Sequence, residues 1–277
     1  MLQRRALLAS AAALLAGAAR PLLAAEPPSA PDIQRILDRG RLVVAVIGSP
    51  LPPFVAAAAA GTLTGYDIEL ANGMARALGV PVSFDSKARS IDAVLAAVAR
   101  GDADLALSKL GATLEGALRV RFSRPYLTLH QALLVNRPRF AQRAGSRDPA
   151  EVAQELGMLL GVVAGTTSAE DAHRRWPRAQ IRDYPRFDPE LVDAVLAGEL
   201  LAACGDELEA RHALTTRGDA PLRLRVSILP ETRLGIAAAL PRESLQLLAW
   251  VDLYIETALA PVTTDELLAR YATKSPD

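Results

Sequence analysis

An α/β fold is the class this 277-residue sequence predicts, and three observations predict it. Apolar runs such as LVVAVI (42–47) and MLLGVVA (158–164) have the continuous hydrophobicity of strands buried on both faces. Between such runs the apolar residues take helical spacing, as with Ile68, Ala71, Ala75 and Leu78. Stop and start signals sit at the junctions, with Gly40 closing DIQRILDR and Ser90 opening IDAVLAAVA. Strands alternating with helices in this way imply parallel sheets built from βαβ units.

The first 25 residues read differently. Arg4 and Arg5 precede an apolar run from Ala6 to Ala19 and a small-residue exit at Ala24–Ala25. That run is too short to span a bilayer, so 1–25 is expected to be a cleaved signal peptide. Its Arg4-Arg5-Ala6-Leu7-Leu8 also fits a twin-arginine leader, with ordinary secretory export as the alternative. Cleavage would remove three arginines and no acid, taking the formal charge from zero to −3. The expected product is an exported, soluble, periplasmic protein.

After a Pro-rich tether (26–31) the expected order is helix 32–40, strand 42–47, a loop stiffened by Pro50, Pro52 and Pro53, and helix 68–78. Strand 82–84, the Ser90-capped helix and strand 104–107 follow. A second block repeats the pattern with strands at 131–136, 158–164, 180–184 and 200–204, each leading into a helix. LRLRVSIL and RLGIAAAL read as two further apolar runs before two closing helices. Ligands gather at the carboxyl ends of strands in such sheets, which marks loops 48–54, 108–116, 164–168 and 204–207.

Composition narrows the function. Apolar residues make up 51% and charged residues 22%, as in an ordinary globular chain rather than a disordered one. A balanced charge and 4% aromatic content argue against nucleic acid as a partner. The lone Cys204 cannot form an intrachain disulfide or a cysteine zinc cluster, and reads as a small buried strand residue. His130, His173 and His212 lack the spacing of a metal-binding helix pair, and no nucleophile, Walker or dinucleotide fingerprint is present. No cofactor or metal is expected, and no enzyme activity.

Five motifs in this order carry a resemblance: RGRLVVAVIGSPLPPF, GTLTGYDIELANGMARALGV, IDAVLAAVARGDADLAL, RFSRPY and GVVAGTTSAE. Together they resemble the periplasmic solute-binding proteins of the amino-acid type, family 3, over nearly all of the mature chain. The resemblance implies a two-lobed periplasmic binding protein fold (type II) with two hinge crossings, near Thr128–Leu133 and Ile228–Leu234. Lobe 1 would be 26–129 with 230–277, and lobe 2 would be 130–229. It further implies a monomer that captures a small polar or anionic solute, an amino acid or related organic acid, and meets the membrane permease of an ABC importer transiently.

Carried over residue by residue, the resemblance makes Asp206 the carboxylate for a ligand's ammonium, with helix capping as its other role. Gly165, Thr166 and Thr167 match the turn that meets the ligand carboxylate, where helix amides favour an anion. Ser108 matches a hydrogen-bonding position. Leu51 and Ile91 stand where the family has aromatic walls, and Phe54 lies between core and cleft. At the position of the family's carboxylate-gripping arginine the chain has Gly116, and nothing smaller replaces a bidentate guanidinium.

Lys109 offers a substitute. Only three of the 31 basic residues are lysines (Lys87, Lys109 and Lys274), and Lys109 follows Ser108 at a strand end. It is expected to supply a point charge for an anionic ligand group, against the alternative of a solvated surface lysine. Arg119 and Arg121 are further cations beside the FSRPY segment. Two other functions remain open: a periplasmic accessory protein that no longer binds an amino acid, serving for instance an oxidation system, or a cyclohexadienyl dehydratase-like enzyme with Asp206, Glu207 or Glu170 as general acid.

Overall fold

The computed structural model describes residues 30–57, 62–154, 158–218 and 220–272. The expected signal peptide and its twin-arginine motif lie outside the described residues.

Two five-stranded sheets organise the chain. The strands are β1 (Leu42–Ala45), β2 (Ala56–Ala57), β3 (Leu63–Thr64), β4 (Val82–Asp85), β5 (Leu105–Ala106), β6 (Arg121–Phe122), β7 (Leu127–Asn136), β8 (Leu159–Val163), β9 (Gln180–Tyr184), β10 (Ala202–Asp206), β11 (Leu224–Ile236) and β12 (Ala239–Leu240). The first sheet has the order β4-β1-β5-β12-β6 and the second β11-β7-β10-β8-β9, while β2 and β3 pair as a small ribbon. Gly40 closes helix Pro31–Arg39 in the left-handed region, and the Ser90 side chain accepts from the Ala93 amide to start helix Ile91–Ala99. Both were expected from residue type alone.

The sheets are mixed rather than parallel, which corrects the βαβ expectation. Strands β4, β1 and β5 are parallel, as are β10, β8 and β9. However, β12 runs antiparallel to β5 and β6, and β7 runs antiparallel to both β10 and β11. The cause is the chain's path: it leaves the first sheet along β7 and returns along β11, so the two long strands point in opposite directions. The runs at 222–229 and 233–240 are therefore not two separate strands. Leu224–Leu229 of the first and Arg233–Ile236 of the second lie in β11, whose pairing with β7 shifts register between Leu229 and Leu234, and Ala239–Leu240 forms β12.

The apolar runs are continuous because both faces of the second sheet are covered. Leu133, Val135, Ala202 and Cys204 point into one core with Trp176 and Met158, whereas Ala132, Leu134 and Ala203 point into another with Phe187 and Val195. The alternation follows from the period of two along a strand, and each large buried side chain contributes about 1.5–3 kcal/mol. The first sheet has its own core around Leu42, Val44, Leu105 and Met74. Leu208, from the helix Glu207–Thr216 that follows β10, is buried in that first core. The two halves thus touch through an apolar contact.

Candidate functional site

The loop after β5 holds Lys109 in an unusual backbone state. Lys109 has φ 50°, the one positive φ at a residue other than glycine among the described residues. Such a conformation costs free energy unless the surroundings fix it. Here Asp67, in the first turn of helix Tyr66–Ala77, accepts the Lys109 amide at 2.7 Å and the Tyr126 hydroxyl at 2.8 Å. Asp67 is fully buried, and burial pushes its pKa up to about 7, even though both donors and the Lys109 charge pull it down.

The side chain of Lys109 crosses to the other half. Its Nζ lies 2.5 Å from Asp206 Oδ2 and 2.6 Å from Glu209 Oε1, and 6.0 Å from the centre of the Phe54 ring. A capping box builds this seat from the chain's local rules. Asp206 Oδ1 accepts the Leu208 and Glu209 amides, both at 3.0 Å, and Glu209 Oε2 accepts the Asp206 amide at 3.3 Å. Each carboxylate spends one oxygen on the helix end and turns the other to the same ammonium. Burial alone would lower the Lys109 pKa, but the charges of Asp206 and Glu209 override it and hold the amine protonated. Glu209 is pushed upward, first by burial and then by the Asp206 charge, with Lys109 opposing.

Asp206 therefore takes the capping role foreseen for it and faces a cation as well, but the cation is the chain's own. Lys109 is neither a solvated surface residue nor an uncommitted charge awaiting an anion, because two carboxylates already match it. Glu209 escaped the sequence reading, although Asp206 followed by Glu three residues later is itself a capping-box signature.

The other expected residues are dispersed in role. Ser108 is buried, its hydroxyl accepting the Ile47 amide (2.8 Å) and donating to the Leu107 carbonyl (2.6 Å), so it ties β1 to the end of β5. Thr166 caps helix Thr167–Arg175, accepting from Ala169 and donating to the Val163 carbonyl. Gly165 precedes it with φ 72° and open space around its α-carbon. Leu51 closes a tight turn against Val55, and Ile91 begins its helix half-buried on the first core. Phe54 is fully buried, edge-on to Tyr66. Arg119 pairs with Asp92, and Arg121 donates to the Arg242 carbonyl. At Gly116 a β-carbon would lie 2.9 Å from Thr113 Oγ1 and 3.0 Å from the Phe122 ring.

The hinge side is pinned by polar groups filling the register shift of β11. The Thr232 hydroxyl accepts the Gln131 amide at 2.7 Å and donates to the Leu229 carbonyl, and its carbonyl oxygen lies 2.7 Å from His130 Nδ1. Glu207, buried, accepts the His130 amide at 3.0 Å. The Glu207 bond ties the residue after Asp206 to β7. A groove of about 780 Å³ opens nearby, lined from both halves by Thr113, Phe122, Thr167, Glu170 and Arg175 among others, without Lys109 or Asp206.

Thr167 also meets the Lys109 loop. A β-carbon on Gly111 would sit 2.6 Å from both Thr167 Oγ1 and Cγ2, with no room for it. Gly111→Ala is expected to destabilise this approach by about 1–3 kcal/mol, the cost of overpacking. Adding Thr167→Ala should recover most of it. Paired melting curves check this, and equal stability of Gly111→Ala and the parent would contradict it.

Among the described residues, no helix is long and apolar enough to cross a membrane, and no group of three or more His, Cys, Asp or Glu side chains is placed to hold a metal.

The chain is similar to known extracellular binding proteins. The family of bacterial extracellular solute-binding proteins, family 3, matches residues 42–274. The L-cystine-binding protein TcyJ of Escherichia coli K12 is 27% identical over 206 residues, 70% of this chain and 74% of its own. The arginine-binding periplasmic protein of Mannheimia haemolytica is 23% identical over 163 residues, 59% of this chain and 62% of its own. Among solved structures, the ancestral amino acid-binding protein AncCDT-1, a precursor of cyclohexadienyl dehydratase, is 27% identical with a TM-score of 0.69, covering 86% of this chain and 98% of that one. The amino acid ABC transporter substrate-binding protein AbpA of Streptococcus pneumoniae, bound to L-arginine, shares the fold at 24% identity and a TM-score of 0.70, with 87% and 98% covered.

Proposed function

We propose, for a chain that belongs to the bacterial extracellular solute-binding proteins, family 3, that it is a periplasmic receptor holding a small amine-bearing solute between two lobes for an ABC importer. In this reading lobe 1 is 26–129 with 230–277, lobe 2 is 130–229, and the permease is met transiently by a monomer. The observation that carries it is the seat itself: Asp206 and Glu209 turn one oxygen each toward a single ammonium, within reach of the Phe54 ring. The relatives named for L-cystine and arginine bind solutes that carry such a group. The local charge favours a cation, since one lysine faces two carboxylates. An organic acid without an amine therefore fits worse than an amino acid or amine.

A second reading has its own support. Lys109 already occupies the seat, and Gly116 stands where the family's arginine would grip a carboxylate, so neither anchor of an α-amino acid is free. That favours an accessory protein that kept the fold and gave up solute capture. The dehydratase reading has less: Asp206 and Glu207 are committed to a helix cap and to the His130 amide, and Glu170 lines the outer groove.

Thermal shift of the mature protein against amino acids, amines and organic acids separates the readings. A ligand at 100 times its dissociation constant adds about 2.7 kcal/mol. An amine-bearing hit that disappears in Asp206→Asn, which keeps the side-chain shape, is the expected result. A flat panel would sink solute capture and leave the accessory reading.

A further inference from the structure

We propose that Lys109 is a tethered ligand of this chain's own cleft: its ammonium fills the seat made by Asp206 and Glu209, so the protein rests closed without solute and admits a free amine only by displacement. This rests on reading the cleft as the solute site, but concerns how that site stands when no solute is present.

Three independent features point the same way. The first is the seat: the Asp206 and Glu209 oxygens left over from the capping box converge on one Nζ, at 2.5 and 2.6 Å. The second is the loop. A left-handed lysine is an unfavourable choice for a turn, yet Asp67 clamps that backbone through the Lys109 amide, and the Lys109 side chain is only 11% exposed. A surface lysine would keep its rotamer freedom, whereas this one gives it up. The third is the state of the two halves. Leu208 is buried in the first core, Gly111 lies against Thr167, and Arg211 of the Asp206-capped helix reaches Asp265 at 2.5 Å.

A tethered group competes at an effective concentration in the millimolar range. A simple amine must exceed that range to enter, while a solute with further anchors can do so lower down. Lys109 would thus set both the resting conformation and the threshold for solutes, with no covalent chemistry involved.

Small-angle scattering of the mature protein without added solute tests the idea, comparing wild type with Lys109→Ala and Lys109→Gln. Circular dichroism identifies which variants fold, and Glu209→Gln serves as a further variant that weakens the seat from the other side. The expected result is a compact wild type and variants with a larger radius of gyration. n-Propylammonium at tens of millimolar replaces the atoms that Lys109→Ala removes. It should return that variant toward the wild-type radius and raise its melting temperature, with a smaller effect on the wild type, where it must displace Lys109. A wild type as expanded as the variants, folded variants as compact as the wild type, or no response of Lys109→Ala to propylammonium would each overturn the proposal. Because closure is measured without solute, a flat solute panel leaves this result standing, and the two readings fail separately.

Discussion

Asp206→Ala is expected to cost the fold about 3–5 kcal/mol, the range found when one partner of a buried ion pair is removed. Two losses combine. The helix Glu207–Thr216 loses the acceptor for the Leu208 and Glu209 amides, worth about 1 kcal/mol for a cap. The larger part is Lys109, which would remain buried with Glu209 as its one carboxylate partner in the seat. At this chain length each kcal/mol moves the melting point by roughly 2–4 °C, so a fall of about 10 °C is expected. The origin of the loss can be separated by a double-mutant cycle. If a stranded ammonium causes most of it, Asp206→Ala with Lys109→Ala should be more stable than Asp206→Ala alone. If the cap causes most of it, Asp206→Asn should stay close to the parent, since Asn caps helices well. A loss below about 1 kcal/mol in Asp206→Ala would show that the short contacts contribute little.

The cycle matters because the seat was only half legible in the sequence. Asp206 was readable twice over, as a carboxylate after a strand and as a residue that starts helices. Its partner Glu209 was equally readable from the capping-box spacing, but that motif speaks of helix ends rather than of a cleft. What could not be read was the direction of the Lys109 side chain. It depends on a left-handed backbone fixed by Asp67, 42 residues earlier, and no local signal reports a clamp at that distance. Ser108 illustrates the converse. Its position at a strand end suggested a ligand contact, yet the end of β1 leaves an Ile47 amide needing an acceptor, and the nearest hydroxyl takes it.

The fold was more legible, because its signals are local. Gly40, Ser90 and the apolar runs specify helix ends and buried strands within a few residues. Sheet direction is a non-local property. The antiparallel pairing of β7 with β10 and β11 follows from where the chain crosses between halves, and the residues of QALLVN alone do not encode it. The register shift between Leu229 and Leu234 was likewise hidden, since Thr232 looks like any turn threonine until its hydroxyl is seen bonding both Gln131 and Leu229.

Asp67 gives the second large effect, in the pH dependence of stability. Its pKa is about 7 in the folded chain against 3.8 for an ordinary aspartate. Between those values the folded chain holds a proton that the unfolded chain has released. Stability is therefore expected to fall as pH rises from about 4 through about 7, by on the order of 2–4 kcal/mol, and to level off above that. Glu209, also raised, adds a fall of the same sign. Asp67→Asn removes one titration while keeping an acceptor for either the Lys109 amide or the Tyr126 hydroxyl. It should be less stable than the parent at pH 4.5 by about 1 kcal/mol, the net worth of one hydrogen bond, and lose that deficit by pH 8. Urea unfolding across this range measures both curves. The fall remaining in Asp67→Asn should become smaller when Glu209→Gln is added, and a slope that Asp67→Asn leaves unchanged would place the proton elsewhere. The same titration bears on the cleft: an ionised Asp67 grips the Lys109 amide more strongly, so the loop that aims the ammonium is held most firmly at the pH where the carboxylate itself costs the fold most.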